Sequence, residues 1–309
     1  MPVHAFSQPK GRLEFFQTQA HDLLENLLGD PTARTVGVYV PEACHPGERY
    51  PLLIDLAGFT GSSLSHLAWK GFGETIPQRV DRLMAEGQLA PAVYVFPDCF
   101  TSLGGNQYVD SIAMGQWARW LHEILVPAIE ARYPVIAEPG GRGLFGKSSG
   151  GFGALHQALH HGEHWGAVVC HSGDMDFELC YGREFPEVLL ALTQSGLSVA
   201  GYIERLHRRR RIAGGEMHVL MTFAMAASYD PDPEAPFGVR LPVDLQTCAR
   251  DDARWAAWQS FDPIVGLERI AAQDNLRALK GLFLDCGLRD QYHLLYGARK
   301  FSARCEALN

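Results

Sequence analysis

The chain has 309 residues, of which 47% are hydrophobic and 20% are charged, and its formal net charge at pH 7 is −8. This composition excludes a disordered chain, and the negative charge argues against nucleic acid as a partner, because phosphate binding needs a basic face. No secretory signal is visible at the N-terminus, and no apolar run approaches the roughly 20 residues that span a bilayer. The seven cysteines are scattered, without a C-x-x-C pair, which is typical of reduced thiols. We therefore expect a cytoplasmic protein that binds neither nucleic acid nor membrane.

Short apolar runs alternate with helical stretches along the chain. The first segment, "GRLEFFQTQAHDLLENLL" (11–28), fits either an edge strand or a helix. The runs that predict strands lie at 35–40, 51–58, 92–98, 142–146, 166–170 and 281–285. Apolar residues at the helical period predict a helix within 111–133, a second that ends near Gly162, and a third from Leu295 onwards. This alternation predicts an α/β fold with a mostly parallel central sheet and helices on both faces.

The stretch from about Met175 to Asp262 interrupts this rhythm. It contains the turn-rich sequence "YDPDPEAPFG" and a run of four arginines. We interpret 175–262 as a cap or lid inserted between two sheet strands, within a single domain that spans 1–309.

The sequence "GRGLFGKSSGG" (141–151) matches three motifs that exclude one another. They are the dinucleotide fingerprint G-x-G-x-x-G, the P-loop G-x-x-x-x-G-K-S and the nucleophile elbow G-x-S-x-G of serine hydrolases. The first two require a buried strand that ends at the first glycine. Here Pro139 and Gly140 form a turn signal before that glycine, and the apolar strand lies inside the motif. We therefore favour the nucleophile elbow.

An elbow explains the unusual residues of this segment. The strand must turn sharply into a helix with Ser148 at the apex, in a strained backbone conformation. Gly146 and Gly150, two residues before and two after Ser148, let the strand and the helix pass closely. The Ser148 hydroxyl then lies at a helix N-terminus, which favours the negative charge that develops during acyl transfer.

The motif "FGKSSGGFGAL" resembles the elbow of the esterase D type of α/β-hydrolase, a group that includes S-formylglutathione hydrolases and many bacterial esterases. "PLLIDLAGFTGSS", "GGNQYVDS", "CHSGDMDF" and "LDCGLRD" extend the resemblance over most of the chain. The resemblance implies an α/β-hydrolase fold, Ser148 as the nucleophile and Asp290 as the acid of a catalytic triad. It also implies that the backbone amides of Phe59 and Ser149 form the oxyanion hole.

The resemblance leaves the catalytic histidine open. The family carries it on a loop beyond one further strand, whereas 19 residues follow Asp290 here. We expect the natural chain to continue past Asn309 through that strand and a histidine-bearing loop. His171 and His293 are the alternative bases within the chain, although a structural role is favoured for each. His156, His160 and His164 recur every four residues, and we interpret them as a polar helix face and not as a metal site.

The sequence thus predicts a serine carboxylesterase that hydrolyses a small or medium acyl ester or thioester through an acyl-enzyme on Ser148. We expect no cofactor and no metal, and a homo-oligomer is compatible with the sequence. The alternatives are a non-catalytic binding protein with the hydrolase fold and, less favoured, a P-loop nucleotide-binding protein.

Overall fold

One mixed sheet organises the protein. The computed structural model describes residues 9–308, and within this range seven strands form the sheet in the spatial order β1-β2-β4-β3-β5-β6-β7. The strands are β1 (Arg12–Gln19), β2 (Ala33–Val40), β3 (Leu52–Leu56), β4 (Val93–Pro97), β5 (Arg142–Lys147), β6 (Ala167–His171) and β7 (Gly281–Asp285). β1 and β2 pair antiparallel, as do β2 and β4, while β3, β4, β5, β6 and β7 run parallel. The predicted α/β fold with a mostly parallel sheet is confirmed.

The six strands predicted from apolar runs are all present, with ends that differ by at most two residues. The ambiguous first segment contains both alternatives, because β1 is followed by the short helix His21–Leu24. β1 is an edge strand whose exposed residues alternate with partly buried ones. Its apolar residues alone therefore could not distinguish a strand from a helix.

Helices cover the sheet and join its strands. Within the described residues, those of eight or more residues are α1 (Ile76–Ala85), α2 (the consecutive segments Trp117–Arg119, Trp120–Leu125 and Val126–Glu130), α3 (Ser149–His160), α4 (Phe185–Ser195), α5 (Val199–His207), α6 (Gly214–Tyr229), α7 (Asp252–Gln259), α8 (Ile270–Ala278) and α9 (Leu294–Ala307). The helix predicted within 111–133 begins later than expected, because Asp110–Ser111 and Gly115–Gln116 form a small hairpin before it. The middle segment of α2 is a π-helix.

The long interruption between β6 and β7 is largely helical. It contains α4, α5, α6 and α7, and it has an apolar core in which Phe177, Phe223 and Trp258 are fully buried. The arginine run follows the end of α5, where Arg208 pairs with Glu204 and Arg209 pairs with Glu216. That this insertion works as a cap stays a prediction.

The order of the strands decides where a site can form. β3, β5 and β6 are neighbours in the middle of the parallel part of the sheet. Their carboxyl ends therefore lie side by side, and open α/β sheets bind their ligands at this edge.

Candidate active site

Ser148 lies at a sharp turn between β5 and α3. Its backbone has φ 57° and ψ −127°, a conformation that residues other than glycine rarely adopt. The amide of Ser148 donates to the carbonyl of His171 over 2.9 Å, and the Ser148 carbonyl accepts from the amide of Phe152. The strand of the motif is β5, which lies between Gly141 and Ser148, as the nucleophile elbow requires and a P-loop does not.

Two glycines allow this turn. A Cβ on Gly150 would lie 1.8 Å from the carbonyl oxygen of Leu56, and a Cβ on Gly146 would lie 2.4 Å from the backbone of Gly150. Neither contact is physically tolerable, and the neighbour in each case is backbone. The first turn of α3 therefore packs directly against the ends of β3 and β5.

The loop after β3 approaches the same turn. Gly58 is the contact point, since a Cβ there would lie 3.4 Å from the Cβ of Ser148. The next residue, Phe59, is fixed by its carbonyl, which accepts from the amide of Gly105 over 2.6 Å. Tyr108 also fixes the loop, because its hydroxyl donates a hydrogen bond to the carbonyl of Ala57 over 2.8 Å. This loop is therefore held rigidly beside Ser148.

The two backbone amides predicted for the oxyanion hole have N–H groups that are available to a ligand. Ser149 is the first residue of α3, so its amide has no acceptor within the helix. Among the hydrogen bonds of the described residues that lie outside helices and strands, none uses the amide of Phe59 as donor. Both residues therefore retain an N–H group for a ligand.

A cavity of about 440 Å³ brings most of the predicted residues together. Its walls come from the loop after β3, the elbow, the segment after β6, helix α6 and the segment before α9. The lining residues that the following paragraphs use are Phe59, His66, Ser148, Asp174, Cys180, Tyr181, Met217, His218, Met221, Asp290, Tyr292 and Leu294. The cavity thus contains both the predicted nucleophile and the predicted acid.

Asp290 lies in the turn that leads into α9. Its Oδ1 accepts hydrogen bonds from the amides of Tyr292 and Leu294, at 2.9 and 3.2 Å. These bonds fix the orientation of the carboxylate, which is what a residue that positions a histidine needs.

The two alternative bases do not line the cavity, although both are joined to its residues by backbone hydrogen bonds. The described residues that line the cavity include neither His171 nor His293. Nδ1 of His171 is 2.7 Å from the Asp285 carboxylate on the neighbouring strand β7. The ring of His293 lies near Tyr296, at 6.4 Å between centroids.

Two other histidines line the cavity, and neither is expected from the sequence. Nδ1 of His66 contacts the carboxylate of Asp55, which is buried in β3, and Nδ1 of His218 is 3.3 Å from Glu184. Burial raises the pKa of Asp55, and the bond from His66 partly offsets this rise. The one sequence signal for the first pair is a charged residue inside the apolar strand "LLIDL". An unpaired carboxylate there would be costly, so a partner is required.

A cluster of histidines lies away from the cavity, on α2 and around the end of α3. Ring contacts with centroid distances of 4.2 to 6.5 Å connect the rings of His122, His156, His160, His161 and His164. The polar face predicted for this helix is wrong at His156, which is buried and stacks on Phe152. No group of three or more histidine, cysteine or acidic side chains among residues 9–308 could hold a metal ion.

Comparison with known sequences decides the family. The profile of the Esterase family, described as "Putative esterase", matches residues 31–294. The chain belongs to this family. The match covers every strand from β2 to β7 and both predicted triad residues, Ser148 and Asp290. A search of curated protein sequences finds no match to this chain.

Solved structures support the fold of this esterase family member. A ferulic acid esterase is 17% identical with a TM-score of 0.58, over 97% of this chain and 87% of that chain. An S-formylglutathione hydrolase from Agrobacterium tumefaciens is 17% identical with a TM-score of 0.44, over the whole of both chains. At this identity, the similarity to the ferulic acid esterase shows a shared fold. Among the described residues of the chain, no helix is both long and apolar enough to cross a membrane.

Proposed function

We propose that the protein is a serine esterase that hydrolyses a small or medium acyl ester or thioester through an acyl-enzyme on Ser148. The observation that carries this proposal is the strained backbone of Ser148 at the N-terminus of α3, beside a cavity that Asp290 also lines. A strained residue at the edge of a cavity, in a family of esterases, indicates a nucleophile. Hydrolysis requires no metal or cofactor.

The residues of the cavity have separate roles in this reaction. The Ser148 hydroxyl attacks the acyl carbon, and the amides of Phe59 and Ser149 hold the negative oxygen of the tetrahedral intermediate. A histidine oriented by Asp290 takes the hydroxyl proton and returns it to the leaving group. Water then cleaves the acyl-enzyme by the same steps.

Labelling and kinetics with two adjacent serines test the proposal. A fluorophosphonate probe should label the wild-type protein and the Ser149→Ala variant, but not Ser148→Ala. On a p-nitrophenyl ester, Ser148→Ala should lose on the order of 10⁴-fold in kcat or more. Ser149→Ala should retain most activity, since it keeps its backbone amide. Equal labelling of all three proteins, with equal turnover, would refute the proposal, and thermal stabilisation by ATP would favour a nucleotide-binding protein.

A further inference from the structure

One buried acid in the cavity has no role in the ester cleavage proposed above. Asp174 follows β6 and lines the same cavity as Ser148, yet the residue is only 7% exposed. Carboxylates are rarely buried to this extent unless they are paired with a cation. In the described part of the chain, no lysine, arginine or histidine forms an ion pair with Asp174.

Two neutral donors hold this carboxylate in place. The hydroxyl of Tyr181 donates to Oδ2 of Asp174 over 2.8 Å, and Nε2 of Gln107 donates to the same oxygen over 3.1 Å. Among residues 9–308, no hydrogen bond to the second oxygen, Oδ1, is found. Oε1 of Gln107, which is 1% exposed, also lacks a partner. The group is therefore a fixed acceptor with one oxygen left for a ligand.

Burial in this position disfavours the charged form of the Asp174 side chain. It raises the pKa of Asp174 to about 6, although the bonds from Tyr181 and Gln107 oppose the shift. An asparagine would have similar shape and could accept the same two bonds without a buried charge. A hydrogen-bond donor from a ligand would satisfy the oxygen that the protein leaves open.

Part of the wall of this cavity is apolar. Cys180, Met217, Met221 and Leu294 line the cavity from the insertion and from the start of α9. Methionine side chains adapt to the shapes of flexible apolar ligands. This surface suits a hydrocarbon chain or ring, and Asp174 supplies a polar contact within it.

We propose that Asp174, oriented by Tyr181 and Gln107, is a specificity-determining residue that accepts a hydrogen bond from a hydroxyl or ammonium group on the substrate. The protein would thus select esters whose apolar part carries such a donor. This inference rests on the proposed esterase function, because it assigns the substrate class of the same cavity.

Matched esters provide the test, since they differ at one group and share the chemistry at Ser148. On the acyl side we would compare p-nitrophenyl heptanoate with the 6-hydroxyhexanoate and 6-aminohexanoate esters, and nonanoate with 8-hydroxyoctanoate. On the alcohol side the pair is hexyl acetate and 5-hydroxypentyl acetate. Wild-type protein should prefer a donor-bearing ester in kcat/KM by about 10-fold or more in at least one series. Whether the hydroxyl or the ammonium ester is preferred identifies the donor.

Substitution of Asp174 should remove this preference without removing hydrolysis. The quantity to follow is the kcat/KM of a donor-bearing ester divided by the kcat/KM of its apolar counterpart. In Asp174→Asn this ratio should fall about 10-fold for the ammonium ester. In Asp174→Leu it should approach one for either donor. Asp262→Asn is the matched control, because Asp262 is a buried carboxylate outside the cavity lining that caps backbone amides. It should leave the ratio unchanged, whatever it does to stability.

The pH dependence gives a readout that a structural role would not produce. The ratio should rise with pH through about 6 in the wild type, as Asp174 becomes a carboxylate, and should be flat in Asp174→Asn. The titratable neighbours that act on Asp174 or are acted on by it are Cys170, Cys180, Tyr181, Tyr229 and Asp290. Burial raises the pKa of each of these cysteines and tyrosines, so they stay neutral across the tested range.

Failure of this inference and failure of the esterase function give different results. Efficient turnover of all esters without preference for a donor would overturn the inference and leave the esterase intact. Absence of turnover would overturn the esterase. In that case calorimetric titration of Ser148→Ala with the uncleaved esters still decides the inference, because equal affinities for donor-bearing and apolar esters would refute it.

Discussion

The backbone amide of Ser148 donates a hydrogen bond to the carbonyl of His171 over 2.9 Å. This bond joins the elbow to the end of the neighbouring strand β6 and stabilises the strained backbone conformation of Ser148. The contribution of His171 to the elbow is thus made by its backbone. Its ring pairs with Asp285 on β7, and the elbow needs no particular side chain at this position.

The alternative bases can be tested by conservative substitution. We expect His171→Gln and His293→Gln to retain most of the wild-type kcat/KM on a p-nitrophenyl ester, because the cavity lining includes neither residue. A loss of 100-fold or more in one of them, without a change in folding by circular dichroism, would identify that histidine as the base.

The close packing around Gly150 predicts that one added methyl group at this position lowers the unfolding free energy of the protein. Gly150→Ala places a Cβ 1.8 Å from the Leu56 carbonyl, so β3 and α3 must separate. Overpacking of this kind costs about 1–3 kcal/mol of unfolding free energy, and the displaced elbow should also lose activity. Gly215→Ala is the control, since no atom lies within 4 Å of the added Cβ. Denaturant unfolding that gives the same stability for both variants would contradict the packing described for the elbow.

The role of Phe59 divides between its amide and its ring. Phe59→Leu keeps the amide and should retain substantial turnover of a short ester, with a shift in the preferred acyl length. Phe59→Pro removes the amide and should lower kcat by about 10²–10³-fold, as expected for one oxyanion donor. Kinetics over a series of acyl lengths would measure both effects. Small and equal losses in the two variants would show that this loop does not form the oxyanion hole.

The histidine cluster predicts a loss of stability in mild acid. Burial lowers the pKa of His122 and His160 to about 4, and neighbouring charges add to the shift. At these two histidines the unfolded chain therefore binds more protons than the folded protein between about pH 6.5 and 4, so their contribution to stability should fall as the pH falls through this window. One such group changes the unfolding free energy by at most about 1.4 kcal/mol per pH unit.

A variant of the cluster isolates this effect from the titration of carboxylates. His122→Phe keeps a ring against His164 and removes a group that titrates, so its melting temperature should fall less between pH 7 and 5 than that of the wild type. His45→Phe, which replaces an exposed histidine, should keep the wild-type slope. If His122→Phe kept that slope as well, the cluster would not be a source of acid lability.

The strands, the strand–turn–helix around Ser148 and the family can all be predicted from the amino-acid sequence. These features depend on local order along the chain. Apolar runs such as "VYVFP" identify buried parallel strands, and Gly146 and Gly150 around Ser148 allow only a tight strand–turn–helix. The boundary of α2 was misplaced because the hairpin before it contains apolar residues at the helical spacing, among them Met114.

Tertiary structure decided which distant residues meet. The contacts of His66 with Asp55, of His218 with Glu184 and of Asp174 with Gln107 join residues from separate elements. The sequence contains many histidines, and their spacing along the chain does not indicate which of them line a cavity. The burial that raises the pKa of Asp174 likewise arises only when Tyr181, from the insertion, and Gln107, from a distant part of the chain, pack against it, since desolvation depends on all surrounding elements at once.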